Sequence, residues 1–270
     1  MTTMPHSPDS ENDDLSPLLS EPFASAWDAP VAPGPLGERL GARLQRSLDA
    51  ERGMVTVRRR SHTPEALGDG AQGRWLYRAP AGRPLRPGEP RAALVIELQA
   101  GAEVALPAGG VREFLVMRGD AQLHAADGVD TLGLRDFLLL PAGHAVRLAS
   151  QDGAHVFVRE ADGDAPARTL VRDVEAGWPE FAPGIRRRVL WTAAGQASLL
   201  YRADPGASVP VHSHGHDEEC LMVQGELFLD DLLLQQGDYQ LAPAGTGHRI
   251  TETDTGVILY AHGDLDLQFT

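Results

Sequence analysis

The chain has 270 residues, 42% of them hydrophobic, which suffices for one large or two modest cores; its formal net charge of −14 argues against a direct nucleic-acid binder. Its 29 Gly and 20 Pro favour a turn-rich strand fold over a helical one, and its one cysteine, Cys220, excludes an internal disulfide framework. No window approaches the roughly 20 apolar residues of a membrane span, and the first basic residue is Arg39, so a soluble, cytoplasmic protein without a positively charged leader is expected.

Residues 1–34 carry six acidic and no basic residues among Pro and Ser, and read as a disordered acidic tail. Leu15, Leu18, Leu19, Phe23 and Trp27 lie among those acids, so the alternative is a short docking segment for a protein partner. Residues 35–52 read as a helix. Leu36, Leu40, Leu44 and Leu48 recur every four residues as one apolar stripe, and Pro35 suits a first helical turn. The stripe is expected to pack on a barrel or on another subunit.

From 53 to 160 the pattern is short apolar runs broken by Gly and Pro: 54–57, 75–77, 92–98, 114–117, 137–140 and 156–158. That is an all-β signature. The run ADGDAPA at 161–167 reads as a linker, and a second β-patterned block covers 168–270. The two blocks resemble each other. GAEV at 101–104 matches GASV at 206–209, EFLVMRG at 113–119 matches ECLMVQG at 219–225, and LPAG at 140–143 matches APAG at 242–245. We read an internal duplication, two small β-barrels in tandem.

Chemistry concentrates in the second block. His212 and His214 are two apart, so on an extended strand both point to one face. Glu218 follows a short polar bend and opens the apolar run 220–223. Pro243 and Gly245 form a turn that returns the chain to His248. His212, His214, Glu218 and His248 are therefore the candidate metal ligands. Three imidazoles and a carboxylate suit a divalent ion, zinc or iron first, with manganese or nickel as alternatives. Glu219 competes with Glu218, but strand parity sends it to the opposite face. His216 reads as a residue beside the ligands or an exposed one. Cys220 and Met222 share parity with Glu218 and are expected inside the barrel. Cys220 is there either a small buried hydrophobe or a redox-sensing group. Tyr239 and Leu241 are further candidates for the pocket wall, whereas Trp178 and Trp191 read as packing residues.

The first block keeps the turns and loses the ligands. Arg112 falls where Glu218 stands and Val146 where His248 stands. A cation at a ligand position repels metal, so the first barrel is expected to be metal-free. Its role is then structural, in covering the partner barrel or forming a dimer interface, or else that of a metal-free ligand pocket.

The spacing Gly206, His212, His214, Glu218, Gly225, followed by Gly237, Pro243, Gly245, His248, resembles the two motifs of the cupin superfamily, with Glu252 in place of a usual Asn. The run DEECLMVQGEL, preceded by WPEFAPGI, looks most like the ChrR-type cupins. The resemblance implies a bicupin of two jelly-roll barrels. ChrR-type anti-sigma factors hold a sigma factor through an N-terminal helical domain with a His and paired-Cys zinc site; this chain has only Cys220. The resemblance therefore implies a metal-binding regulatory protein that responds to an oxidant or a small ligand, or alternatively a metal-dependent iron dioxygenase acting on a small enol or diketone. A homodimer is expected, with neither nucleic acid nor membrane as a partner.

Overall fold

The structure, a computed structural model, describes residues 35–50, 53–86, 88–163 and 167–269. The acidic segment 1–34, residues 51–52 at the end of the expected helix, and residues 164–166 of the expected linker lie outside the described residues. The chain divides into two units, Met1–Asp49 and Ala50–Thr270. In the first, Pro35–Ala50 is an α-helix with Glu38 in its first turn, where the helix dipole favours negative charge. Gln45 Nε2 donates to Asp49 Oδ1 one turn on, at 3.1 Å. Among the described residues, Leu36, Leu40, Leu44 and Leu48 are each more than half exposed.

In the second unit the apolar runs are continuous where a half-solvated strand would alternate. The fold gives the reason: the central strands are buried on both faces. In Ala154–Ala161, Val156 and Val158 point into the first barrel while Phe157 points out, and all three are at most 2% exposed. Phe114 and Val116 face inward and Leu115 outward; Leu138 and Leu140 face inward, Phe137 and Leu139 outward. The outward set meets Leu200, Leu221, Val223, Leu241 and Tyr260 of the second barrel in one shared core. Phe157 and Tyr260 pack across it with tilted rings, centroids 5.0 Å apart and planes at 58°. Each large side chain buried there contributes roughly 1.5–3 kcal/mol.

The first barrel is a sandwich of two sheets. One has seven strands in the order Thr169–Val171, Phe137–Leu140, Val111–Gly119, Ala154–Ala161, Pro90–Leu98, Ala71–Arg78, Glu65–Gly68. The other has four, Glu103–Leu106, Val146–Ala149, Ala121–Ala125, Gly128–Leu132. The second barrel repeats the plan. Its main sheet runs Val55–Val57, Tyr239–Ala242, Glu218–Leu229, Val257–Asp264, Gln196–Ala203, Ile185–Ala193, Glu180–Ala182. Short strands close the other side: His212–Ser213 between Gly247–His248 and Gln268–Phe269, and Ser208–Val209 beside Thr251–Glu252. Both copies bulge at matched places, between Trp75 and Tyr77 and between Val189 and Trp191. Both also pinch at a glycine. A Cβ on Gly119 would lie 2.1 Å from Gly153 O, and one on Gly225 2.2 Å from Gly256 O, so no side chain fits at either point.

The barrels exchange edge strands. Val55–Val57, which precedes the first barrel, pairs with Tyr239–Ala242 of the second. Thr169–Val171, at the start of the second block, pairs with Phe137–Leu140 of the first. Each barrel thereby covers an edge of the other's sheet, where backbone groups would otherwise be left open.

The shared core also holds charge. Arg159 is 2% exposed and lies between Glu113 at 1% and Glu219 at 0%. Its Nη1 donates to Glu113 Oε1 at 3.1 Å, its Nε to Glu219 Oε1 at 2.5 Å and its Nη2 to Gly88 O at 2.8 Å. Tyr260 and Ser198 donate hydroxyls to Glu113 Oε2, and Tyr239 donates to Glu219 Oε2. Burial and the Arg159 charge push His262, against Ser198, well below the usual imidazole range.

Candidate metal centre

Local strand geometry assembles the site. His212 and His248 are register partners on neighbouring short strands, and His214 follows His212 by one pleat. Glu218 begins the long strand Glu218–Leu229. The backbone joins the two ligand-bearing segments: His214 N donates to Thr246 O at 2.9 Å, and Gly245 N donates to His214 O at 2.8 Å.

The four sequence-predicted residues come together. One ligand atom each from His212, His214 and Glu218 lies within 4.8 Å of the others. Glu218 Oε2 is 3.1 Å from His214 Nε2 and 3.8 Å from His248 Nε2. The His248 ring centroid is 5.7 Å from that of His212 and 5.0 Å from that of His214. The three histidines are 2–4% exposed.

Two observations test whether these groups suit a metal. His248 Nε2 is buried without a hydrogen-bond partner, and His214 Nε2 makes no hydrogen bond although Glu218 Oε2 lies 3.1 Å away, which is costly for polar atoms unless something else fills the coordination. The opposite ring nitrogens are all engaged. His212 Nδ1 sits 2.9 Å from Pro210 O, and His248 Nδ1 3.3 Å from Asp230 Oδ2. His214 Nδ1 sits 3.5 Å from Thr246 Oγ1, whose own hydrogen goes to Pro243 O at 2.6 Å. Each partner accepts from Nδ1–H, which turns the Nε2 lone pair toward the shared centre, the arrangement metal-binding histidines use. Burial holds the His214 imidazole below its ordinary range against the opposing pull of Glu218, so it stays neutral, as a ligand must. The residues present fit a divalent ion.

Asp230 was not singled out from the sequence. It turns the hairpin after Leu229 with φ 54°, and accepts from Arg249 N at 2.9 Å as well as from His248. Asp tolerates the left-handed region better than most residues. Burial would raise its carboxyl, but the hydrogen bonds from His248 and Arg249 outweigh that and hold it below the usual range. The Asp-Asp pair between two apolar runs was the available signal.

Other readings sort by parity. Glu219 points away from the ligands into the inter-barrel core. Cys220 lines the interior and Met222 packs inside. Tyr239 and Leu241 do not line the cavity as expected. They pair with Leu221 and Glu219, and cross-strand partners share a face, so both belong to the inter-barrel core. Trp178 and Trp191 pack against that same core. His216 is one-third exposed and pairs with Asp264, Nδ1 to Oδ1 at 2.5 Å. In the first barrel Arg112 donates to Glu160 Oε2 at 2.8 Å, filling the place of a ligand with an ion pair. The His212, His214, Glu218 group is the one metal-capable cluster among the described residues.

His212, Glu218 and His248 form part of the wall of a cavity of about 60 Å³ inside the second barrel. That is room for roughly four to six waters. The rest of the wall is mostly apolar, with Phe181, Ile185, Leu227, Leu259 and Ala261 prominent beside Tyr201 and Thr251, and no Arg or Lys among the described lining residues. Cys220 Sγ lies on the same wall, 3.9 Å from Glu218 Oε2.

Residues 166–266 match the family model described as the ChrR cupin-like domain. No curated protein matches this chain. Solved structures that resemble it span both barrels. A proposed dioxygenase from Nostoc punctiforme is 15% identical, with 79% of this chain and 84% of that chain covered at a TM-score of 0.60. The oxalate decarboxylase of Lactobacillus farciminis, solved with formate, is 15% identical with 79% and 87% covered, also at 0.60. The Bacillus subtilis oxalate decarboxylase, which carries Mn(II) centres, is 15% identical with 78% and 77% covered at 0.59. These likenesses agree with the topology: the fold is two jelly-roll barrels in tandem, and the family match falls on the second. Among the described residues, no helix is long and apolar enough to cross a membrane.

Proposed function

We propose that the protein is a metal-dependent enzyme that holds one divalent ion through His212, His214, Glu218 and His248 and acts on a small, weakly polar organic molecule. The observation that carries this reading is the cavity: three of the four donors open onto a mostly apolar space inside the second barrel. When bound, a metal such as iron supplies Lewis acidity and a route for electrons to dioxygen. The chain's own residues do the rest. The apolar wall holds a hydrocarbon body and excludes water, and Glu218 is placed to ligate or to accept a proton. With no Arg or Lys among the described residues of the wall, a dicarboxylate would be desolvated without a counter-charge. A dioxygenase acting on a small enol or diketone satisfies these limits, and a dioxygenase has been proposed for the Nostoc punctiforme neighbour.

A regulatory protein is the second reading, favoured by the ChrR-like match over 166–266. An oxidant entering the cavity would meet a thiol and a ligand carboxylate side by side. In that reading residues 1–34 contact a protein partner. A homodimer, without nucleic acid, suits either reading. Metal analysis of protein purified without added metal separates the two. Iron near one per chain, with oxygen uptake on a diketone, supports the enzyme; zinc near one per chain, with peroxide-dependent loss of the Cys220 thiol, supports the regulator.

A further inference from the structure

The first barrel lacks ligands, yet it grips the chain on both sides of Glu218. Strand parity sets this up. Glu218 points into the second barrel, so Asp217 and Glu219 point out of it, toward the first. Each meets an arginine of the first barrel. Glu219 accepts from Arg159 Nε at 2.5 Å. Asp217, 1% exposed, accepts from Arg86 Nε at 2.8 Å through Oδ2. Its other oxygen accepts from Ala244 N at 2.9 Å, in the turn that leads to His248. Asp217 therefore ties the segment bearing His212, His214 and Glu218 to the segment bearing His248. Arg86 is itself anchored, since Arg86 N donates to Glu89 Oε2 at 2.9 Å and Tyr77 and Arg83 donate to the same carboxylate.

We infer that Arg86 and Arg159 are positioning residues for the metal centre, and that the ligand-free barrel serves as the clamp that sets the place of Glu218. The inference rests on the metal reading above. Neither arginine would touch the ion. Each fixes a neighbour of Glu218, Asp217 just before the strand Glu218–Leu229 and Glu219 within it, so the carboxylate meets the three imidazoles with little reorganisation. Partners that orient ligands in this way typically control metal affinity by roughly 10–100-fold.

The test uses the full chain and metal affinity, measured for zinc and iron(II) by competition with a chelator. Arg86 suits it best, because its side chain is 43% exposed and its removal leaves the inter-barrel core intact. Arg86→Gln is expected to weaken metal binding by about tenfold or more, Asp217→Asn by a similar factor, and the double variant by no more than either alone. Arg86→Lys is expected to recover part of the loss. A purely structural role would lower the melting temperature and leave the affinity of the folded fraction unchanged. Should Arg86→Gln fail to fold, Arg86→Lys and Asp217→Asn still decide, because either must weaken binding. Affinity within twofold of the parent in the folded variants overturns the clamp while leaving the metal reading intact. Absence of metal binding by the parent chain overturns that reading and the clamp with it.

Discussion

His248 Nδ1 lies 3.3 Å from Asp230 Oδ2, and this pair fixes which nitrogen of His248 faces Glu218. The carboxylate accepts from Nδ1–H, so the unpartnered Nε2 presents its lone pair to the centre. Asp230→Asn keeps the shape and tolerates the positive φ, but its amide can turn an N–H toward Nδ1 and favour the wrong tautomer. We expect a loss of roughly 10–100-fold in metal affinity with little change in melting temperature. Isothermal titration of metal into the apo protein reads this, and unchanged affinity would remove Asp230 from the account.

The ligand set itself has a blunter test. In His212→Ala/His248→Ala, half of the four donors are gone and the remaining two cannot hold an ion in competition with buffer. Metal content by atomic emission should fall from about one per chain to near zero, whereas retention at full occupancy would falsify the centre.

Much of this was legible in the sequence because it is local. The spacing of His212, His214 and Glu218 obeys strand parity, and the repeat of ECLMVQG against EFLVMRG gave two barrels. What stayed hidden depends on pairing across the chain. Tyr239 and Leu241 lie just before the turn that leads to His248, which suggests the pocket wall; only their register against Leu221 and Glu219 places them on the other face. The exchange of Val55–Val57 and Thr169–Val171 joins segments with no shared pattern. Arg159 and Glu219, sixty positions apart, meet only because two outer sheet faces pack together, and a single sequence carries no signal for that.

That same packing makes Arg159 a stability determinant. Arg159→Met removes one charge and leaves Glu113 and Glu219 buried with hydroxyl donors but no counter-charge. Breaking a buried pair this way costs about 3–5 kcal/mol. For a domain of this size we expect the melting temperature to drop by roughly 6–20 °C. Adding Glu113→Gln and Glu219→Gln should return most of the loss. A single variant that melts within about 2 °C of the parent in calorimetry would contradict the burial argument.

The cavity offers a separation of ligand binding from metal binding. Ala261 is 4% exposed on its wall, on the strand beside Glu218–Leu229. Ala261→Leu fills space that a small molecule needs and leaves all four donors untouched. We expect metal stoichiometry to persist while oxygen uptake, or ligand-induced thermal shift with a diketone, falls at least tenfold. The cost in stability should stay within about 1–3 kcal/mol. Full activity in that variant would place the reacting molecule elsewhere.

Acid sensitivity should arise in part at Glu89, far from the donors in sequence and buried at 2% exposure. Burial alone would raise its carboxyl; hydrogen bonds from Arg83, from the Arg86 backbone and from Tyr77 outweigh it and lower the carboxyl to about 2 from 4.5. The Tyr77 hydroxyl is pushed up to about 12, first by burial and then by that carboxylate. A carboxyl that ionises more readily when folded stabilises the fold above its unfolded value. The contribution is therefore complete above about pH 4.5 and drains away as pH falls toward 2. Urea midpoints between pH 7 and pH 3 should fall more steeply below pH 4.5 for the parent than for Glu89→Gln, which has no proton to bind. The variant should also start lower at neutral pH, since Arg83 loses its anion. Parallel acid limbs for the two proteins would show that Glu89 contributes nothing to the titration.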